Sequence, residues 1–233
     1  MSVKPILFNA EMVRGLLDNR KTVTRRVVKP QPQGRLVPEP PGGCWPGYFA
    51  EEGTPRVVRP PYLPGDILYV RETWCKYGEL DAADQVIPET ERYYYRADGE
   101  NPTPFNCFLV QHPGWDEYRE TPVWRPSIHM PREAARIFLR VTDVRVERLQ
   151  DITAEQVLDE GVEVKFPDPK PSHLSLAYTE MRLKPAARKQ FSDLWNSTIK
   201  KAALALYGWD ANPWVWVIEF ERISREEAMK HYV

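Results

Sequence analysis

Residues 19–29 read NRKTVTRRVVK, five cations in eleven residues with no acid, in a chain whose formal net charge is −1. The middle of the stretch, TVTRRVV (22–28), is β-branched and alternating, which is the pattern of a strand. Thr22, Thr24 and Arg26 then share one face, and Val23, Arg25 and Val27 share the other. Lys21 falls in the turn before the strand and can lean to either face. Just upstream, NAEMVRGLLDN (9–19) sets Met12, Val13, Leu16 and Leu17 at helical spacing. Asn9 is placed to cap that helix, and Glu11 lies in its first turn, where a carboxylate suits the dipole. A helix therefore feeds a strand through a cationic turn.

Working outward, PGDILYVRETW (64–74) reads as a turn at Gly65–Asp66 followed by a strand. RYYYRAD (92–98) is another strand. ARIFLRVTDVRVERL (135–149) is the longest strand signal, with a change of phase near Thr142–Asp143 that predicts a bulge or bend. DITAEQVLDEGV (151–162) is a short helix, with Thr153 at the N-cap, Gln156 completing a capping box and Gly161 as the left-handed stop. Residues 185–208 are helical in one or two pieces, and NPWVWVIEFERI (212–223) is an apolar closing strand. The strands are not regularly separated by helices, which disfavours a doubly wound sheet. The expectation is one α+β domain over 1–233, a mixed β-barrel with peripheral helices. Proline-rich loop insertions are expected at about 29–64, 98–127 and 165–185.

The 23 prolines are about twice the usual share of roughly 5%, as long ordered loops require, since proline is poorly tolerated inside helices and central strands. An apolar fraction of 42% with eight tryptophans is enough for a core, which excludes disorder throughout. The charge balance excludes a generally basic nucleic-acid coat protein but leaves room for a local basic groove. Cys44, Cys75 and Cys107 are odd in number and widely spaced, so free thiols in a reducing compartment are expected. The opening residues lack an apolar signal core, and no run of about 20 apolar residues occurs. The expected location is the cytoplasm, with no membrane partner.

His112, His129, His173 and His231 are scattered without ligand spacing, so no metal is expected. No glycine-rich nucleotide fingerprint or nucleophile elbow is present, so no cofactor is expected. The basic stretch reads either as a solvated edge strand guarded by charge or as the wall of a polyanion or nucleoside pocket. In the second reading, the arginines beside Lys21 push its amine towards the neutral form, which can serve as a base or nucleophile. In VRETW (70–74), Arg71 and Glu72 point to opposite faces, and Trp74 follows Glu72 on the same face. These residues form either a surface ion pair with a core tryptophan or a base-stacking wall. WRPSIHMP (124–131) sets Arg125, Ser127 and His129 at alternate positions, either along a groove mouth or within an ordered loop. Glu160 ends its helix where the dipole is already negative, a misplacement that suggests a purpose.

Taken in order, the leading helix, NRKTVTRR, PGDILYVRETW, the long strand with DITAEQVLDEG, and terminal WVWVIEFERI resemble an ASCH domain, in particular the larger ASCH proteins of bacteriophages and prophages. The resemblance implies a PUA-like barrel, a fold used to hold RNA or modified nucleosides. ASCH relatives include small amidohydrolases that remove the acetyl group of 4-acetylcytidine using a lysine and a threonine in an RKTxT segment and a later glutamate. Carried over, Thr24 is the nucleophile, Lys21 its base and Glu160 a proton relay or substrate holder. Arg26 matches a basic residue that follows the threonine. Arg71, Glu72, Trp74, Ser127, His129 and Trp214 are the further substrate-binding candidates. The chain is more than twice the length of those small enzymes, and Arg25 stands where they often carry an apolar residue. Three readings follow: deacylation of an N-acylated cytidine, a non-catalytic module gripping RNA or single-stranded nucleic acid, and RNA cleavage with Lys21 stabilising the phosphorane charge.

Overall fold

Alternation and capping build most of the elements that surround the basic stretch. A computed structural model of the chain describes residues 2–38, 48–54, 56–79, 81, 85–99, 107–109, 123–165 and 176–230, with the backbone alone described at 107–109 and 176–182. In chain order the larger elements are β1 (Val3–Leu7), α1 (Ala10–Leu17), β2 (Val23–Val27), β3 (Leu36–Pro38), β4 (Phe49–Glu51), β5 (Val57–Val58), β6 (Ile67–Arg71), β7 (Trp74–Glu79), β8 (Arg92–Tyr95) and β9 (Cys107–Leu109). They continue as β10 (Phe138–Arg148), α2 (Ala154–Asp159), α3 (Leu176–Thr198), α4 (Leu204–Tyr207), β11 (Trp214–Ile223) and α5 (Arg225–Met229). His112, His173, His231 and Cys44 lie outside the described residues.

The chain divides into two compact units, each made of separate segments. The first comprises 15–66 and 140–222, and the second comprises 2–14, 67–139 and 223–233. In the first unit, β11 lies between β10 and β2. It runs antiparallel to β2, with Val215 opposite Val27, Ile218 opposite Thr24 and Glu219 opposite Val23. The same unit holds a separate sheet in the order β3-β4-β5. Its core gathers Leu149, Val157, Ala187, Phe191, Trp195, Val215 and Val217, all buried. In the second unit, β1 runs parallel to β6, and Val3 to Leu7 face Ile67 to Arg71. Pro5 is tolerated there because β1 is an edge strand. A further sheet has the order β8-β7-β9. This unit's core holds Ile67, Trp74, Met130, Ala134, Phe138 and Ala228.

The fold is mixed α+β, with several sheets and few helices. None of the described sheets closes on itself. The strands of the 29–64 excursion pair with one another, and those of β7–β9 do likewise. The excursion is therefore more than a loop. The third insertion is also shorter than expected, because α3 starts at Leu176 and carries Pro185 inside it. LAYTEMRLK supplies helix formers ahead of that proline, enough to begin the helix early. β10 runs unbroken through Thr142–Asp143, and these two consecutive residues are both exposed.

Candidate functional site

Lys21 is placed by the end of one helix and the end of another. After α1, Asn19 takes a left-handed conformation (φ 56°). The N–H groups of Arg20 and Lys21 both return to Gly15 O, at 2.8 and 3.0 Å. Lys21 then forms an antiparallel bridge with Glu160, and Thr22 N–H donates to Asp159 O at 2.8 Å. On the facing side, α2 opens with the expected capping box. Thr153 Oγ1 accepts Gln156 N–H at 3.3 Å, and Gln156 Oε1 accepts Thr153 N–H at 3.0 Å. The helix stops at Gly161 with φ 84°. A Cβ on Gly161 would lie 2.9 Å from Lys21 Cβ, and one on Gly15 would lie 3.3 Å from the same atom. The two glycines thus form the slot through which the lysine stem passes.

At the end of that slot Lys21 Nζ donates to Glu160 Oε2 (2.8 Å), Glu160 O (2.9 Å) and Val23 O (2.8 Å). The two side chains are 0% and 6% exposed. The other carboxylate oxygen, Glu160 Oε1, accepts from Arg25 Nη1 at 3.1 Å. Arg25 Nη2 reaches Gln156 Oε1 at 2.9 Å and Glu147 Oε2 at 3.4 Å, while its Nε is buried without a partner among the described residues. Burial holds the Lys21 amine below the ordinary lysine value, and it outweighs the opposing attraction of Glu160. Arg26 and Arg25 push in the same direction as burial. Stripping one partner from a buried pair of this kind leaves an uncompensated charge at a cost of about 3–5 kcal/mol.

The structure brings Lys21 and Glu160 into contact across 139 positions of sequence. Thr24 is 1% exposed on the same strand. Its hydroxyl is not one of the three acceptors around Lys21 Nζ. The link between the two is the Val23 carbonyl, which belongs to the peptide bond leading into Thr24. Arg26 is partly buried, and burial lowers its pKa while the nearby Tyr62 and Glu160 oppose the shift. Trp214 sits at the start of β11, four residues from Ile218, the partner of Thr24. That is about 13 Å along the strand. Arg148 covers its ring at 4.4 Å, and its indole nitrogen is buried without a partner among the described residues.

The other five candidates belong to the second unit. Glu72 is 1% exposed and pairs with Arg136, at 2.9 and 3.1 Å, in place of a surface pairing with Arg71. Asp98 holds the other side of Arg136, and Tyr95 stacks under it at 3.9 Å. Burial raises the Glu72 pKa in spite of that arginine. Arg71 donates from Nη2 to Ile128 O. Trp74 is a core residue, 4% exposed, with Tyr93 at 5.7 Å and the Arg125 guanidinium over its ring at 5.3 Å. Ser127 and His129 lie in a 3-10 turn. The turn follows from Pro126, which fixes φ near the helical value at its start.

Arg25 is the residue that strand alternation misassigns. Parity groups it with Val23 and Val27, on the apolar face, yet its side chain reaches the buried acid. The one signal in the sequence is the charge itself, an arginine where an apolar residue is expected. A cleft of about 220 Å³ lies next to this network, lined by Thr22, Arg145, Gln156, Asp159 and Glu219 among others. Arg145 is tied there to Glu147 at 2.6 Å and to Glu219. Among the described residues no group of three or more His, Cys, Asp or Glu is placed to hold a metal ion, and no helix is long and apolar enough to cross a membrane. No protein-family model, curated protein or solved structure matches the chain.

Proposed function

We propose that the chain is an ASCH-type, PUA-like protein that binds an N-acylated cytidine, free or within RNA, and removes the acyl group. The observation that carries this reading is the buried contact of Lys21 Nζ with Glu160 Oε2 at 2.8 Å, beside the peptide that leads into Thr24. In the reaction, the neutral Lys21 amine takes the proton of Thr24 Oγ1 as that oxygen attacks the acyl carbonyl. Glu160 stabilises the ammonium that forms, and Arg26 faces the negative charge that develops on the carbonyl oxygen. Collapse breaks the bond between the acyl carbon and N4 of the base, and Lys21 returns its proton to the departing amine. Water, deprotonated by the same amine, then attacks the acyl-threonine ester; the ester bond to Thr24 Oγ1 breaks, Lys21 hands its proton to that oxygen, and the acyl group leaves as a carboxylic acid that ionises to the carboxylate.

Incubation with 4-acetylcytidine, followed by chromatography, tests it. The expected result is equimolar cytidine and acetate, with loss of turnover in Lys21→Met and in Thr24→Val. Turnover that survives both substitutions, or a wild-type protein that releases no cytidine, overturns the chemistry. One observation favours a second reading: Lys21 Nζ is fully enclosed and bound to three protein acceptors. Under that reading the network is a structural clamp inside a non-catalytic module. Salt-dependent RNA binding without product is its signature.

A further inference from the structure

The Glu160 carboxylate serves two cations from opposite ends. Oε2 faces Lys21 and Oε1 faces Arg25. Only one of the two can give up its charge. A guanidinium keeps its proton across the whole range in which proteins stay folded, whereas an amine releases one readily when buried. Arg25 is also the partner that cannot swing away. Its side chain is 1% exposed, and Nη2 is anchored by Gln156, which the capping box of α2 holds in turn. Its Nε–H is buried without an acceptor among the described residues. The guanidinium is therefore oriented to present Nη1 to Glu160 at the expense of its Nε–H.

We propose that Arg25 is a positioning residue: it holds one oxygen of Glu160, leaves Lys21 only the other, and so eases release of the Lys21 proton. The proposal rests on the assignment of Lys21 as the base. Among the described residues the charged groups that bear on Nζ include Glu160 at the end of α2 and Arg25 and Arg26 on β2; Glu147 of β10 lies behind Arg25, and Tyr62 lies beside Arg26. Glu160 is the acid that touches Nζ, and Arg25 divides it. With Arg25 gone, the whole carboxylate turns to Lys21, which then keeps its proton to higher pH. Arg25 thus acts on the reaction through Glu160 and Lys21 without touching the substrate.

The full chain labelled with ¹³C-lysine tests this directly. The Lys21 Cε resonance is assigned by its absence in Lys21→Met and followed as pH is raised. The wild-type midpoint is expected below the ordinary 10.5. In Arg25→Met it is expected to move up. Arg25→Lys keeps a charge but loses the fork, so it gives a smaller rise and serves if the methionine variant does not fold. A midpoint that stays put or falls in a folded variant overturns the proposal. In the deacylation assay the Arg25→Met profile shifts towards alkaline pH and recovers there, whereas a merely structural role would lower turnover at every pH. If the wild-type protein releases no cytidine, the deacylase reading fails while the titration still decides the role of Arg25.

Discussion

Gly161 meets two demands that no side chain satisfies together: it holds φ at 84°, and it leaves room for Lys21. Gly53 separates these demands, because it has φ 76° with nothing within 4 Å of a would-be Cβ. Gly53→Ala is expected to cost only the left-handed backbone, about 1 kcal/mol. Gly161→Ala adds displacement of the Lys21 stem, for a total of about 2–3 kcal/mol. Urea unfolding of the two variants measures the difference, and equal losses would mean that the stem is not pinned. At this scale the sequence was partly legible. Lys21 and Glu160 stood out, the first by crowding with cations and the second by an acid at a helix end where the dipole is negative. The sequence marks Gly161 as a helix stop, but its closeness to Lys21 depends on a contact far apart in the chain. Arg25 was hidden because alternation reports which way a side chain leaves the strand, and a long arginine can still end on a buried acid.

Elements with a period were readable, and elements too short to have one were not. β2, β6, β10 and β11 show alternation, and α2 announces itself through its capping box. β3, β4 and β5 span three, three and two residues, so no periodicity can mark them, and the prolines around them suggest a loop. β1 was missed because Pro5 argues against a strand unless the strand is at an edge. A buried acid ties the small β3-β4-β5 sheet to the chain just before it. Glu51 is buried, its Oε1 accepts Gly34 N–H at 2.7 Å and Gln33 N–H at 2.6 Å, and its Oε2 accepts from Arg56 at 3.0 Å. The Gly34 N–H contact lowers the Glu51 pKa most, with Gln33 and Arg56 adding to it. A depressed carboxylate contributes stability above its unfolded value, about 4.3, and loses it as pH falls through the lower folded value. Amide hydrogen exchange at Gln33 and Gly34, corrected for intrinsic rate, should show protection at neutral pH that fades in acid. Glu51→Gln should exchange at neutral pH much as the wild type does in acid. Unchanged protection in that variant would show that the carboxylate does not hold the sheet.

For the molecule as a whole, the hidden property is that its two units are interleaved. The first unit's chain leaves at Asp66 and returns at Arg140, so no boundary in composition marks either one. The same long return brings Glu160 to Lys21, and the energetics of that meeting reach the stability of the entire fold. Burial holds the Lys21 amine below 10.5 in the folded chain. Between the folded value and 10.5 the unfolded chain carries a proton that the folded chain has released, so stability rises with pH across that window. Below the window both states are protonated and the slope vanishes. Tyr62, Tyr93 and Tyr95 act in the opposite sense, because burial raises each of them, Tyr95 to about 12. The folded chain keeps those phenol protons after the unfolded chain has lost them, and stability then falls as pH climbs past about 10. The contribution of Lys21 is therefore read as a difference between two proteins. Urea unfolding of wild type and Lys21→Met from about pH 7 to about pH 10 should show the wild type gaining on the variant. The gain is about 1.4 kcal/mol for each pH unit by which folding lowers the amine, and the tyrosines cancel because both chains contain them. A difference that stays flat across that range would mean that the enclosed amine keeps an ordinary affinity for its proton, which removes the physical ground for Lys21 as a base at neutral pH.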